Sequence, residues 1–179
     1  MRRSAVVLFL FLCIAAASGH AQAVESAESR QFTLTAGGMA SGFRTGEGGH
    51  SLVGAGTFVD VHFSHWVQLE GEGRWLRWNE YQGEHQDNYL IGPRVPIASF
   101  GRSTQLFGKA MIGYAKMTFP GGYGYGSFTQ FAFGASVDHH LSRKLSVKGD
   151  FEYQYWPVYL NNATLSPYGV SVGVGYRVF

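Results

Sequence analysis

The closing stretch, Tyr168-Gly-Val-Ser-Val-Gly-Val-Gly-Tyr-Arg-Val-Phe179, constrains the fold more than any other part of the chain. Val170, Val172, Val174, Tyr176 and Val178 share one parity; Gly169, Ser171, Gly173, Gly175 and Arg177 share the other. Alternation of period two over about ten residues marks a β-strand lying between two unlike environments. One environment is apolar, and the other is small or polar and admits an arginine. A soluble barrel turns its apolar face inward, whereas a membrane-spanning barrel turns that face to lipid and keeps polar side chains inside.

The same logic extends along the chain. Strands are expected over 32–42, 52–63, 66–78, 87–97, 104–117, 128–141, 144–156 and 168–179, most of them long enough to cross a bilayer as tilted strands. In the seventh, Leu145, Val147, Phe151, Tyr153 and Tyr155 oppose Lys144, Ser146, Lys148, Asp150, Glu152 and Gln154. In the third, Val67, Leu69 and Trp75 oppose Gln68, Glu70, Glu72 and Arg74; in the fifth, Leu106, Ala110, Ile112 and Tyr114 oppose Gln105 and Lys109. A face carrying both signs of charge would be a costly core for a soluble protein, but it suits the lumen of a membrane barrel. Long Gly-, Asn- and Pro-rich connections (43–51, 79–86, 118–127, 157–167) alternate with tight Ser64-His65 and Ser142-Arg143 and a moderately short 98–103. Long loops at one end and short turns at the other place both termini at the turn end, on the periplasmic side of such a barrel. The expected fold is all-β: an eight-stranded antiparallel up-and-down transmembrane β-barrel. Aromatics at strand ends, Trp75, Trp78, Tyr81, Tyr89, Tyr114, Phe119, Tyr153, Tyr155 and Trp156 toward the loops and Phe63, Trp66, Tyr176 and Phe179 toward the turns, read as interfacial girdles.

Three features strain this reading. Pro93 and Pro96 interrupt the fourth strand, where each removes a ladder hydrogen bond, so a bulge or an early strand end is expected. His139 falls on the lipid-facing parity, which is tolerable near an interface. Phe179 falls on the inward parity.

The N-terminus reads as a secretory leader: Arg2 and Arg3, an apolar run 5–17, then Ala21-Gln22-Ala23, predicting cleavage before Val24. The expected domains are a signal peptide, 1–23, and a barrel domain, 24–179. Removing Arg2 and Arg3 from the 14 Lys and Arg leaves 12 bases against 12 acids, so the processed chain is neutral and gives no support for nucleic-acid binding. The only cysteine, Cys13, lies in the leader, which excludes a disulfide framework and a thiol catalyst in the processed chain.

An internal repeat runs through the chain. Val59-Asp-Val-His-Phe-Ser-His-Trp-Val67 aligns without gaps on Val137-Asp-His-His-Leu-Ser-Arg-Lys-Leu145, and Glu72 then meets Asp150. Each copy is strand, tight turn, strand, as expected of a barrel built from two four-stranded halves. The segment from Phe133-Gly-Ala-Ser-Val-Asp-His-His-Leu-Ser through Glu152-Tyr153 resembles the strand–turn–strand hallmark of the OmpA-like outer-membrane β-barrel domain family. The terminal aromatics Tyr176 and Phe179 likewise resemble the C-terminal assembly signal of such barrels, although Phe179 is out of phase with the apolar face. The resemblance implies a bacterial outer-membrane protein that contacts membrane lipid and lipopolysaccharide and is inserted by the barrel-assembly machinery. OmpA itself continues into a peptidoglycan-binding domain; this sequence stops at the barrel, so that role does not carry over.

Three groups of residues invite chemistry. Asp60, His62, Asp138 and His140 share the inward parity at the turn ends of strands two and six. Two Asp-x-His pairs have the residue types of a metal site, but a structural polar cluster at the periplasmic rim is the simpler reading. Glu70, Glu72, Arg74, Arg94, Lys109, Lys148, Asp150, Glu152 and Arg177 form a second inward set. A pore lining or a carboxylate hydrolase would use such residues, yet eight strands enclose only enough room for side chains, which favours an interlocked plug. His62-Phe-Ser64-His65 has the types of an acyl-transfer site, but its repeat copy, His140-Leu-Ser142-Arg143, has no second histidine, so turn chemistry is expected. No catalytic, cofactor or metal residue is assigned and no cofactor is expected. The chain reads as a structural or surface-interaction barrel and not a general porin. A lipid A- or phospholipid-modifying membrane enzyme and a soluble lipocalin-like binder are the alternatives.

Overall fold

The computed structural model describes residues 32–45, 50–64, 66–80, 82–158 and 163–178. The leader 1–23, its cleavage site at Val24, and His65, Tyr81 and Phe179 lie outside these residues. Eight strands follow in chain order: β1 (Thr33–Arg44), β2 (Ser51–His62), β3 (Gln68–Leu76), β4 (His85–Phe100), β5 (Thr104–Thr118), β6 (Tyr125–His140), β7 (Leu145–Tyr155) and β8 (Tyr168–Arg177). Each pairs antiparallel with its sequence neighbours, and β8 pairs with β1 from Thr35↔Arg177 to Arg44↔Tyr168, closing the barrel. Closure leaves no edge strand, although β4 beyond Arg94 overruns its β3 partner.

The alternation read from the sequence becomes an inside and an outside. Along β7 burial alternates from exposed Leu145 through buried Ser146, Lys148, Asp150, Glu152 and Gln154 to exposed Tyr155. On β8, Val170, Val172, Val174 and Tyr176 are exposed while Gly169, Ser171, Gly173 and Gly175 are buried. The small inner face of β8 has a specific use. A Cβ on Gly169 would strike the ring of Phe43, and one on Gly173 would crowd Phe58 and Met39, so glycine here makes room for large inward side chains from β1 and β2.

Strand β4 is longer than the sequence suggested. The β3–β4 ladder ends at Gln68↔Arg94, and beyond it β4 pairs only with β5. Pro96 lies past that point, where a missing N–H deprives no β3 partner. The register shifts between Pro96 and Ala98, leaving Ile97 as an extra residue. This bulge supplies the expected irregularity, but the strand does not end there. It changes the phase, so Phe100 pairs opposite Thr104 and stands 62% exposed. The connection to β5 is then the three-residue turn Gly101–Ser103, tighter than the sequence reading of 98–103. At the other end of the barrel, Pro120–Gly122 forms a short 3₁₀ turn, and Gly121, Gly122 and Gly124 adopt φ of 70°, 76° and 113°, a region that glycine enters without steric penalty.

The two repeat copies sit face to face. Strand order places β2 opposite β6 and β3 opposite β7, so residues 78 apart look at each other across the lumen. The core of the molecule is this lumen.

Candidate functional site

The lumen is filled in layers. Near the turn end Arg94, whose side chain is fully buried, projects from β4 between Asp60 on β2 and Asp138 on β6, at 2.8 and 2.7 Å, and reaches Glu70 at 3.1 Å. Its Nη2 also donates to Ser136 Oγ at 3.2 Å, and its guanidinium lies 3.7 Å from the Phe107 ring centroid. Lys148 on β7 pairs with Glu70 directly across the barrel and with Asp60 at 3.4 Å, over the ring of Phe58. At mid-height Lys109 on β5 gathers four carboxylates: Glu70 at 3.2 Å, Glu72 at 2.6 Å, Asp150 at 2.8 Å and Glu152 at 3.2 Å. Above it Arg74 on β3 donates to Glu72 and, across the lumen, to Glu152 at 3.0 Å, stacked on Phe43 at 4.4 Å.

The repeat explains the complementarity. Position 70 carries Glu and its counterpart 148 carries Lys; 74 carries Arg and 152 carries Glu. Asp60 and Asp138 share Arg94, and Glu72 and Asp150 share Lys109, as two like charges facing each other need a cation between them. Strands two and six lie on opposite sides of the barrel, as the sequence implied, yet Arg94 spans the distance. Asp60 and Asp138 therefore belong to the ionic network, and the supposed separate rim cluster reduces to His62 and His140. Arg177 departs from expectation in the other direction. It is half-buried and lines a small polar pocket at the turn end with Asp60, His62, Gln68, Asp138 and His140, and among the described residues it pairs with no carboxylate of the network. Glu70, Glu72 and Asp150 are, among the described residues, the carboxylates close enough to share a metal ion, and the Lys109 ammonium already lies against all three.

Above the charges the lumen turns apolar. Gln154 donates to Glu152 at 2.8 Å and accepts from the Trp156 indole at 3.2 Å, joining the ionic layer to a cluster of Ala115, Met117, Trp156 and Leu165 backed by Phe119 and Phe128. Phe43, Leu52 and Leu76 form a second cluster at the same end. Trp156 is thus no girdle residue: it is fully buried, stacked on Phe128 at 5.5 Å, and held by a bridge to Leu165. Phe119 likewise turns to the cluster. Inward parity on β1, β2 and β5 carried the signal for these residues, because Phe43, Leu52, Phe107 and Met117 all fall on it. Ser64 and Ser142 do turn chemistry. Ser64 Oγ accepts from the Trp66 amide at 3.3 Å, and Ser142 Oγ accepts from the Leu145 and Lys144 amides at 3.1 and 3.3 Å.

The model of the outer membrane protein beta-barrel domain family matches residues 9–177. The chain belongs to that family. No curated protein matches the sequence. Among solved structures, the outer-membrane barrel superposes on the N-terminal β-barrel domain of Pseudomonas aeruginosa OprF with a TM-score of 0.61 at 14% identity, covering 82% of this chain and 99% of that one. Neisserial surface protein A gives 0.59 at 11% identity, covering 81% and 96%, and Pseudomonas aeruginosa OprG gives 0.54 at 10%, covering 82% and 95%. At such identities the likeness establishes the fold alone. This outer-membrane barrel is a bacterial outer-membrane protein, and its apolar outer face is what lipid requires.

Proposed function

We propose that this barrel is a closed, non-conducting envelope protein whose working surface is its set of long loops, and that it is neither a diffusion pore nor an enzyme. The observation that carries the reading is Lys109, held by carboxylates from β3 and β7 at once in the middle of the lumen. Eight strands enclose space of side-chain size, whereas open porins use about 16–18. The ionic layers fill that space and two apolar clusters cover it at the loop end. Charges in a partly dehydrated lumen attract more strongly than at a free surface, so cross-lumen pairs are favoured over two separately hydrated linings. In this reading both termini face the periplasm, the leader 1–23 is removed before Val24, and the barrel-assembly machinery inserts 24–179 with its loops outward among lipopolysaccharide. The loops then present exposed aromatic residues, Trp78, Tyr123 and Tyr125, to whatever the envelope meets. Planar-bilayer conductance of the refolded protein tests closure: no stable single-channel steps are expected, and porin-sized steps would overturn it. Intact mass of the exported protein tests the leader, with a chain beginning at Val24 expected and retention of residues 1–23 contradicting export by this route.

A further inference from the structure

Among the described residues, the two ends of the barrel differ in charge. At the loop end Arg44, Arg77 and Lys116 are balanced by Glu80, Glu84 and Asp87, and Arg77 is paired with Asp87 at 2.9 Å from its Nε. At the turn end Arg102, Arg143 and Lys144 are exposed and Arg177 is half-buried. Among the described residues none of these four cations pairs with a carboxylate, because the acids at that end, Asp60 and Asp138, are turned inward onto Arg94. The Lys144 ammonium lies 5.8 Å from the ring centroid of Tyr176. Exposed apolar side chains gather at the same end: Trp66 is 73% exposed, Phe100 62% and Leu141 57%. Bulky apolar groups and exposed cations at one end suit a bilayer interface, where apolar stems lie in the hydrocarbon boundary and charged heads reach the phosphates.

We infer that the turn end is a docking collar for anionic phospholipid headgroups, built by Arg102, Arg143 and Lys144 together with the exposed Trp66, Phe100 and Leu141 at the same end. The partner is the lipid of the leaflet at that end, bound through its phosphate and its net negative charge. Basic residues near an anionic surface add attraction that accumulates with their number and fades within a Debye length. The balanced loop end has no comparable excess among the described residues. Which residues share an end does not depend on whether the lumen conducts.

The test uses the refolded full barrel in phosphatidylcholine vesicles carrying a minor fraction of either brominated phosphatidylglycerol or brominated phosphatidylcholine. Bromine quenches nearby tryptophan, and the Trp66 signal is the difference between the unaltered barrel and Trp66→Phe. A preference for the anionic lipid on the order of fivefold is expected at low salt. It should fall to parity at high salt and in the Arg102→Ser/Arg143→Ser/Lys144→Ser barrel, but persist in Arg44→Ser/Lys116→Ser. Equal quenching by the two lipids in the unaltered barrel, or a preference that survives both salt and the turn-end triple change, would overturn the collar. Because the salt comparison uses the unaltered protein, the outcome does not hinge on the variant folding.

Discussion

Arg74 sits with its guanidinium withdrawn from water, held by Glu72 and Glu152 and laid over the ring of Phe43. Removing one partner of such a pair leaves the others as buried charges with less compensation, a loss of about 3–5 kcal/mol. Arg74→Met should therefore lower the unfolding free energy of the bilayer-inserted barrel, read from urea titrations, by that amount, with Glu72 and Glu152 left to Lys109. Converting both sides, Arg74→Met with Glu152→Leu, should recover much of the loss, since well-packed apolar groups avoid the desolvation that the ions incur. A single change as mild as the double one would mean the pair is hydrated and the lumen is wetter than its burial implies. That these residues face inward is readable from parity. Which one meets which is not, because the partner depends on the stagger of opposite strands, and only the 78-residue offset of the repeat hinted at 70–148 and 74–152.

A strand crosses the membrane with changing surroundings along its length, and the cost of a charge follows depth. Val172 lies at the middle of β8, paired with Ala40 on β1 and Gly149 on β7, and is 62% exposed. Val172→Arg should cost about 2–4 kcal/mol in bilayers, whereas Val147→Arg, near the turn end of β7, should cost about 0–1 kcal/mol. Unfolding titrations in vesicles give both values, and equal costs would mean that β8 is not centred in the hydrocarbon. The same depth dependence accommodates His139, which sits at the turn end of β6 with its Nδ1 2.8 Å from Thr104 Oγ1. Strands β3, β5, β7 and β8 were legible because their two faces differ along most of their length. Strand β4 was less so: its prolines suggested a break, but its far half has only one neighbour, so Pro96 is tolerated and the bulge at Ile97 restores the outward aim of Phe100. Trp156 was misread because an aromatic at a strand end serves either a lipid girdle or a lumen cap. Parity alone separates the two, and 156 shares the inward parity of Lys148 through Gln154.

At the scale of the molecule the barrel is two similar halves that differ where they meet. β1–β4 carry Asp60, Glu70, Glu72, Arg74 and Arg94; β5–β8 carry Lys109, Asp138, Lys148, Asp150 and Glu152. Two copies of the first half would set Glu70 against Glu70 and Arg74 against Arg74. Two copies of the second would set Lys148 against Lys148 and Glu152 against Glu152. The native partnership joins Glu70 to Lys148 and Arg74 to Glu152, and it supplies the shared cations Arg94 and Lys109 once each. Like charges facing each other in a low-dielectric lumen are repelled as strongly as opposite ones are attracted, so the network discriminates against the wrong pairing as well as favouring the right one. Cutting the chain in the turn between Arg102 and Ser103 leaves all eight strands whole. The halves 24–102 and 103–179, unfolded separately and mixed in detergent, should therefore assemble one to one into a heat-modifiable barrel. Each half alone should stay unfolded or aggregate instead of closing with its own copy. Native mass spectrometry of the three mixtures reads the stoichiometry directly. Same-half dimers as abundant as the mixed complex would show that backbone pairing and lipid-facing valines close the barrel by themselves, and that the lumen charges do not choose the partner.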